Sequence, residues 1–177
     1  MNYADIKQYD VANGLGVRVS IFVSGCTHHC KGCFNAETWD FNFGKPFTQK
    51  EIDKIIEYLA PDYVAGLSVL GGEPFELSNQ EGLLPLLRKV KETYPQKNIW
   101  CFSGYLFDEQ ILGEMCQESE ITKEMIQYID ILVDGKFEIE KKNLMLRFRG
   151  SENQRIIDVK QSLACGEVVH WAHENER

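Results

Sequence analysis

The chain has 177 residues, 44% hydrophobic and 26% charged, with 19 basic and 27 acidic side chains for a net charge of -8. That length and balance fit one soluble globular domain, or a domain plus a tail, and the acidic excess argues against a nucleic-acid partner. No apolar run approaches the roughly 20 residues of a membrane span, and the opening MNYADIKQYD lacks the apolar centre of a signal peptide, so a cytoplasmic protein is expected.

In chain order, RVSIFVSG (Arg18 to Gly25) predicts a first strand that runs into SGCTHHCKGCFN. The turn-prone aromatic stretch TWDFNFGKPF follows. TQKEIDKIIEYLAP predicts a helix, with Thr48 and Glu51 as a capping box, Ile52, Ile55, Ile56 and Leu59 on one face, and Pro61 as the stop. GLSVLGGEP reads as a buried second strand ending in a glycine turn. Leu83, Leu84, Leu86, Leu87 and Val90 predict a helix over about Glu81 to Tyr94.

NIWCFSGY is the third strand and turn, and helical patterns follow over Asp108 to Cys116 and Thr122 to Tyr128. IDILVDGKF is the fourth strand, LMLRFRG the expected fifth and QRIIDV the sixth. CGEVVHWAHENER shows no convincing element, so residues 160–177 read as a polar tail, flexible or able to bind metal through Cys165, His170 and His173. Strands alternating with helices predict an α/β fold with a mostly parallel sheet. The cysteine loop, Gly71 to Pro74, Ser103 with Gly104, and Asp134 to Lys136 then all fall at carboxyl ends of strands, where such folds carry their sites.

Cys26, Cys30 and Cys33 are spaced C-x3-C-x2-C; Cys101, Cys116 and Cys165 stand singly, with Cys101 and Cys116 on apolar faces as core thiols. Clustered cysteines without an export signal favour a metal centre over disulfides. A zinc interaction module could use the three thiolates with His28 or His29 as fourth ligand. Yet no second ligand pair exists elsewhere to staple two segments. Three thiolates would alternatively hold an iron–sulfur cluster with one iron left open.

Cys26, Cys30 and Cys33 after a first strand resemble the signature of the radical S-adenosylmethionine (SAM) enzymes. Within them, FVSGCTHHCKGCFNAETWDFNFGKPFT, LGGEP, IWCFSGY, LVDGKF and RGSENQ resemble the activating enzymes of anaerobic ribonucleoside-triphosphate reductase, from NYADI to about Val159. The resemblance implies an open, partial (β/α) barrel of the radical SAM type over residues 1–159. It implies one [4Fe-4S] cluster on Cys26, Cys30 and Cys33, whose electron cleaves SAM to methionine and a 5′-deoxyadenosyl radical. Gly71, Gly72, Glu73 and Pro74 would bind the methionine amino group, and Gly32, Cys33 and Phe34 would lie at the adenine. Gly32 departs from the aromatic residue common there. Ser103 would contact SAM or merely form a turn. Lys136 would meet the SAM carboxylate or sit in a solvated turn, and Asp134 would help hold a monovalent cation. His28 and His29 are expected at the loop surface or in contacts that tune the cluster, and Trp39 and Trp100 in packing.

An adenosyl radical needs a closed site, whereas the chain is too short for a complete barrel or a lid domain. A macromolecule is therefore the expected substrate. The resemblance names the reductase, with a glycine near its C-terminus receiving the radical, and reduced flavodoxin as electron donor. Relatives are often dimeric on a reductase dimer, so a homodimer and a heterotetramer are implied. A pyruvate formate-lyase-type activator is the nearest alternative within the same chemistry, although it is usually longer and carries a D-T-N-G-like turn in place of CFSG.

Overall fold

The computed structural model describes residues 1–173. It builds a mixed α/β fold on one open sheet, assembled in chain order from β1 (Asn2–Asp10), β2 (Val17–Val23), β3 (Lys45–Pro46), β4 (Val64–Gly71), β5 (Asn98–Phe102), β6 (Ile131–Asp134) and β7 (Arg155–Asp158). The spatial order is β3-β1-β2-β4-β5-β6-β7. Strands β2, β4, β5 and β6 are mutually parallel, β1 and β7 flank them antiparallel, and β3 pairs antiparallel with β1. The sheet does not close.

Helices α1 (Gln49–Leu59), α2 (Leu77–Thr93), α3 (Cys116–Glu118), α4 (Glu120–Tyr128) and α5 (Val159–Cys165) join them, with a π-helical stretch over Phe107–Met115 leading into α3. The capping box of α1 is present: Glu51 accepts the Thr48 N–H at 2.8 Å, and Thr48 Oγ1 accepts from Lys50 at 3.3 Å. Helix α2 starts at Leu77, four residues before its predicted start. Its first turn escapes an apolar pattern because buried Asn79 and Gln80 bond the carbonyls of Glu73 and Phe75.

Alternation along the central strands gives the sheet two different faces. Val19, Ile21, Leu67, Val69, Ile99 and Leu132 point to the helices and form the main core. Trp100, Ile131, Val133 and Ile156 point the other way, into a second cluster capped by Trp171, with Phe102 and Phe148 against it. Arg18 lies fully buried near the start of β2, donating to Ser68 Oγ at 2.7 Å and to the Leu67 carbonyl at 2.8 Å. Burial lowers its pKa to about 10.

Three expectations are corrected. Strand β1 carries few apolar residues and lines up on β2 through backbone pairing, so its sequence did not announce it. LMLRFRG is not a strand: residues 143–150 form an irregular loop pinched by an Asn143 N–H to Gly150 carbonyl bond of 3.2 Å, with Phe148 at a φ of +59°. Residues 160–173 are not an element-free tail. The segment forms α5, whose Asp158 cap accepts the Gln161 N–H, and then returns along β7, where the Trp171 N–H reaches the Ile156 carbonyl at 2.9 Å. Residues 174–177 of the expected tail lie outside the described residues.

Candidate functional site

The parallel strands put their carboxyl ends on one edge, and a cavity of about 440 Å³ opens there. Cys26, Cys30, Cys33 and Phe34 line it from the loop after β2, and Gly71, Gly72 and Glu73 from the turn after β4. Ser103 and Gly104 close it beyond β5, and residues 143–150 supply a facing wall. Gly32, Pro74, Asp134 and Lys136 lie outside the lining.

The cysteine loop is held tightly to the sheet. Gly25 accepts the Glu73 N–H at 2.8 Å, and the Gly72 N–H donates to Val23 at 2.7 Å. A Cβ at Gly72 would stand 2.5 Å from the Gly25 carbonyl oxygen, so only glycine permits this approach. Cys33 turns back on Cys30 through a 3.1 Å backbone bond, with Gly32 between them.

All three loop thiols are free. Burial raises Cys26 to about 11, partly offset by the His28 and His29 N–H groups. Burial also raises Cys30, against the lowering influence of the Phe137 N–H and the Lys136 charge. A bound metal reverses that preference by stabilising thiolate. Cys101 and Cys116 are buried in the main core, as expected of packing residues.

Glu73 is the surprise of the glycine turn. It is 1% exposed, and its carboxylate is turned to protein donors, among them the Ser103 hydroxyl at 2.8 Å. Ser103 in turn accepts the Tyr105 N–H at 3.1 Å. Both side chains therefore shape the wall through each other. Lys136 is exposed beside the cysteine loop, its carbonyl held by Asn153 at 2.8 Å. Phe34 is 64% exposed at the cavity mouth and packs on Phe137, ring centroids 5.2 Å apart.

Asp134 is fully buried and faces Arg155 and the Phe107 N–H. The charge opposite it is a guanidinium from β7. The two histidines part ways: the His28 side chain is 6% exposed and turns inward against Glu73, while His29 lies exposed on the loop, stacked on Trp39 at 4.6 Å. Trp39 lines the cavity with its indole N–H buried and lacking an acceptor. The sequence reading missed Thr27, Glu76 and Arg155. Their partners lie dozens of residues away, and no local pattern marks them.

The chemistry of the donors fits an iron–sulfur cluster. Among the described residues, no three Cys, His, Asp or Glu side chains gather as ligands of one ion. The three thiols instead surround a shared volume, an arrangement suited to one thiolate per iron of a multi-iron group. The orphaned Trp39 N–H offers the same cavity a donor for a further ligand beside the cluster.

Fold and site define an iron–sulfur protein of the α/β class, and the pattern of the 4Fe-4S single cluster domain matches residues 12–157. The chain is 42% identical to the anaerobic ribonucleoside-triphosphate reductase-activating protein of Vibrio cholerae, over 88% of this chain and 97% of that one. It is 39% identical to that of Pasteurella multocida, over 88% and 96% of the two chains, and 38% identical to that of Enterobacteria phage T4, over 88% and 93%. The chain belongs to the family of anaerobic ribonucleoside-triphosphate reductase-activating proteins.

Proposed function

We propose that this chain activates an anaerobic ribonucleoside-triphosphate reductase by generating a glycyl radical on it, as a radical SAM enzyme. The observation that carries this reading is the meeting of Cys26, Cys30 and Cys33 with the Gly71–Gly72 turn around one cavity. A [4Fe-4S] cluster held there would supply the electron that splits SAM into methionine and a 5′-deoxyadenosyl radical.

The chain's own residues do the holding and shaping. Cys26, Cys30 and Cys33 are the thiols on the cavity; they would hold three irons of a four-iron cluster and leave the fourth for SAM. The turn at Gly71 and Gly72 offers backbone carbonyls to the methionine ammonium, because the Glu73 carboxylate is already engaged. Gly32 to Phe34 form the adenine side, and Lys136, next to Cys30, offers its cation to the SAM carboxylate. Phe102, Leu146 and Phe148 give the cavity an apolar wall that keeps water from a radical.

The open edge of the sheet supports a partial (β/α) barrel over residues 1–159 that a protein substrate completes. Leu144 and Met145, 81% and 87% exposed on the loop that walls the cavity, offer that substrate an apolar lip. Reduced flavodoxin as donor, a cytoplasmic setting and a dimer on the reductase complete the reading. No helix among the described residues is long and apolar enough to cross a membrane.

Anaerobic reconstitution should load about four irons and four sulfides per chain. With reductant, the loaded protein should release methionine and 5′-deoxyadenosine; with the reductase, it should give a glycine-centred signal by electron paramagnetic resonance (EPR). Zinc retained without sulfide, or a modified small molecule with no protein radical, would sink the reading.

A further inference from the structure

Glu73 reaches across the site from the turn after β4 and gathers three segments on one carboxylate. Oε1 accepts the Phe75 N–H at 2.8 Å and the Ser103 hydroxyl at 2.8 Å. Oε2 accepts the Gly104 N–H at 2.7 Å and lies 2.9 Å from His28 Nε2, which donates to it. These donors fill the lone pairs of both oxygens, and a buried carboxylate satisfied in this way is fixed in place.

His28 is held on its other side too. Tyr105 meets the imidazole edge-on, with ring centroids 4.4 Å apart. Gly104 leaves the space: a Cβ there would lie 2.5 Å from His28 Cδ2. One residue earlier, the Thr27 N–H and hydroxyl donate to Glu76 Oε1 at 2.8 and 2.6 Å. Cys26 and Cys30 stand two residues to either side of His28. The turn after β4 therefore grips the middle of the Cys26-to-Cys30 span through two glutamates.

We propose that His28 is a positioning residue: bound to Glu73, it fixes the Cys26–Cys30 half of the loop against the ends of β4 and β5, so that protein contacts set the placement of those two thiols. This rests on the cluster assignment proposed above. The same bond withdraws His28 Nε2 from iron, which removes the histidine as a fourth ligand through that atom. Groups that orient metal ligands from behind usually change metal affinity by 10- to 100-fold when removed.

The test compares reconstituted wild type, His28→Ala and His28→Gln under anaerobic conditions. Iron loss to a chelator and the change in the reduced cluster's EPR signal on adding SAM are followed, with thermal unfolding as a control. His28→Ala should lose iron about 10- to 100-fold faster and show an altered SAM-dependent signal, with little change in unfolding temperature. His28→Gln, whose amide N–H can still reach Glu73, should recover most of the retention. Equal iron loss in all three proteins overturns the proposal, and so does His28→Gln behaving as His28→Ala. If neither variant yields folded protein by circular dichroism, His28 serves folding and the proposal falls. A wild type that takes up four irons while the variants keep theirs sinks the brace alone. A wild type that takes up no iron and sulfide sinks the cluster reading beneath it.

Discussion

Arg155 on β7 covers Asp134 at the end of β6, with Nε 3.0 Å from Oδ1 and Nη2 2.5 Å from Oδ2. The carboxylate is fully buried, and the guanidinium, 25% exposed, also reaches Asp108 at 2.8 Å. The two carboxylates raise the Arg155 pKa further. This pair pins the antiparallel edge strand to the parallel sheet beside the site. Arg155→Ala would leave a buried charge unpaired, so it should cost about 3 kcal/mol in denaturant unfolding. Asp134→Asn/Arg155→Ala should recover part of that, because the unpaired charge is gone.

Acid should weaken the fold through Asp10. Burial would raise its pKa, but hydrogen bonds from Asn13 at 2.7 Å, Ser20 at 2.6 Å and the Ala12 N–H at 2.9 Å outweigh burial and hold it below 3.8. A carboxyl lowered by folding contributes stability that is complete above its unfolded pKa and is lost as pH falls through its folded one. The stability difference between wild type and Asp10→Asn should therefore be constant near neutrality and shrink below about pH 4. Urea midpoints across that range would measure it; a difference that grows in acid contradicts the assignment.

Each loop cysteine should be indispensable to the cluster. Cys26→Ala, Cys30→Ala and Cys33→Ala should each lose SAM cleavage, since two thiolates cannot retain four irons. Cys116→Ala, a core change away from the cavity, should keep most of it. Methionine release by the reduced, reconstituted proteins is the readout, and one fully active loop variant is enough to refute the ligand set.

The C-terminal segment should matter for stability more than for iron. Trp171 is 9% exposed and meets Trp100 edge to face, ring centroids 5.0 Å apart. Trp171→Ala should cost about 3 kcal/mol yet leave iron and sulfide content unchanged once the protein is folded. Loss of iron from the folded variant would place the segment within the site.

Leu144 and Met145 should separate the two halves of the reaction. A Leu144→Ser/Met145→Ser variant removes exposed apolar surface and no core contact. Glycyl-radical yield on the reductase should fall several-fold, well beyond any change in SAM cleavage by the variant alone, to which Leu144 contributes only as one residue of the cavity wall. Unchanged radical yield at limiting reductase would show that the lip is not used.

Much of this protein was legible from local pattern. Short β-branched, apolar runs marked the central strands and a period-3.6 run marked α1, because these burial patterns are contained within the segment itself. The spacing of Cys26, Cys30 and Cys33 after a strand marked the donor loop, since one short turn carries all three. GLSVLGGEP marked a buried strand ending in a glycine turn, and the fold packs that turn's Gly72 against the Gly25 backbone.

The rest depended on contacts between segments. Strand β1 was missed and loop 143–150 was misread as a strand, because pairing through the backbone and exposed apolar lips leave no telling pattern in the segment. The inward turn of His28 onto Glu73 joins residues 45 positions apart, and the Arg155–Asp134 pair joins residues 21 apart. Trp171 looked like part of a polar end until β7 offered it a backbone partner and Trp100 a face. The sequence by itself determined that three closely spaced cysteines follow a strand, because those are properties of one continuous segment. Only the tertiary structure decided which side chains are spent holding that segment. A hydrogen bond needs its partner within about 3 Å, and the fold alone brings distant residues that close.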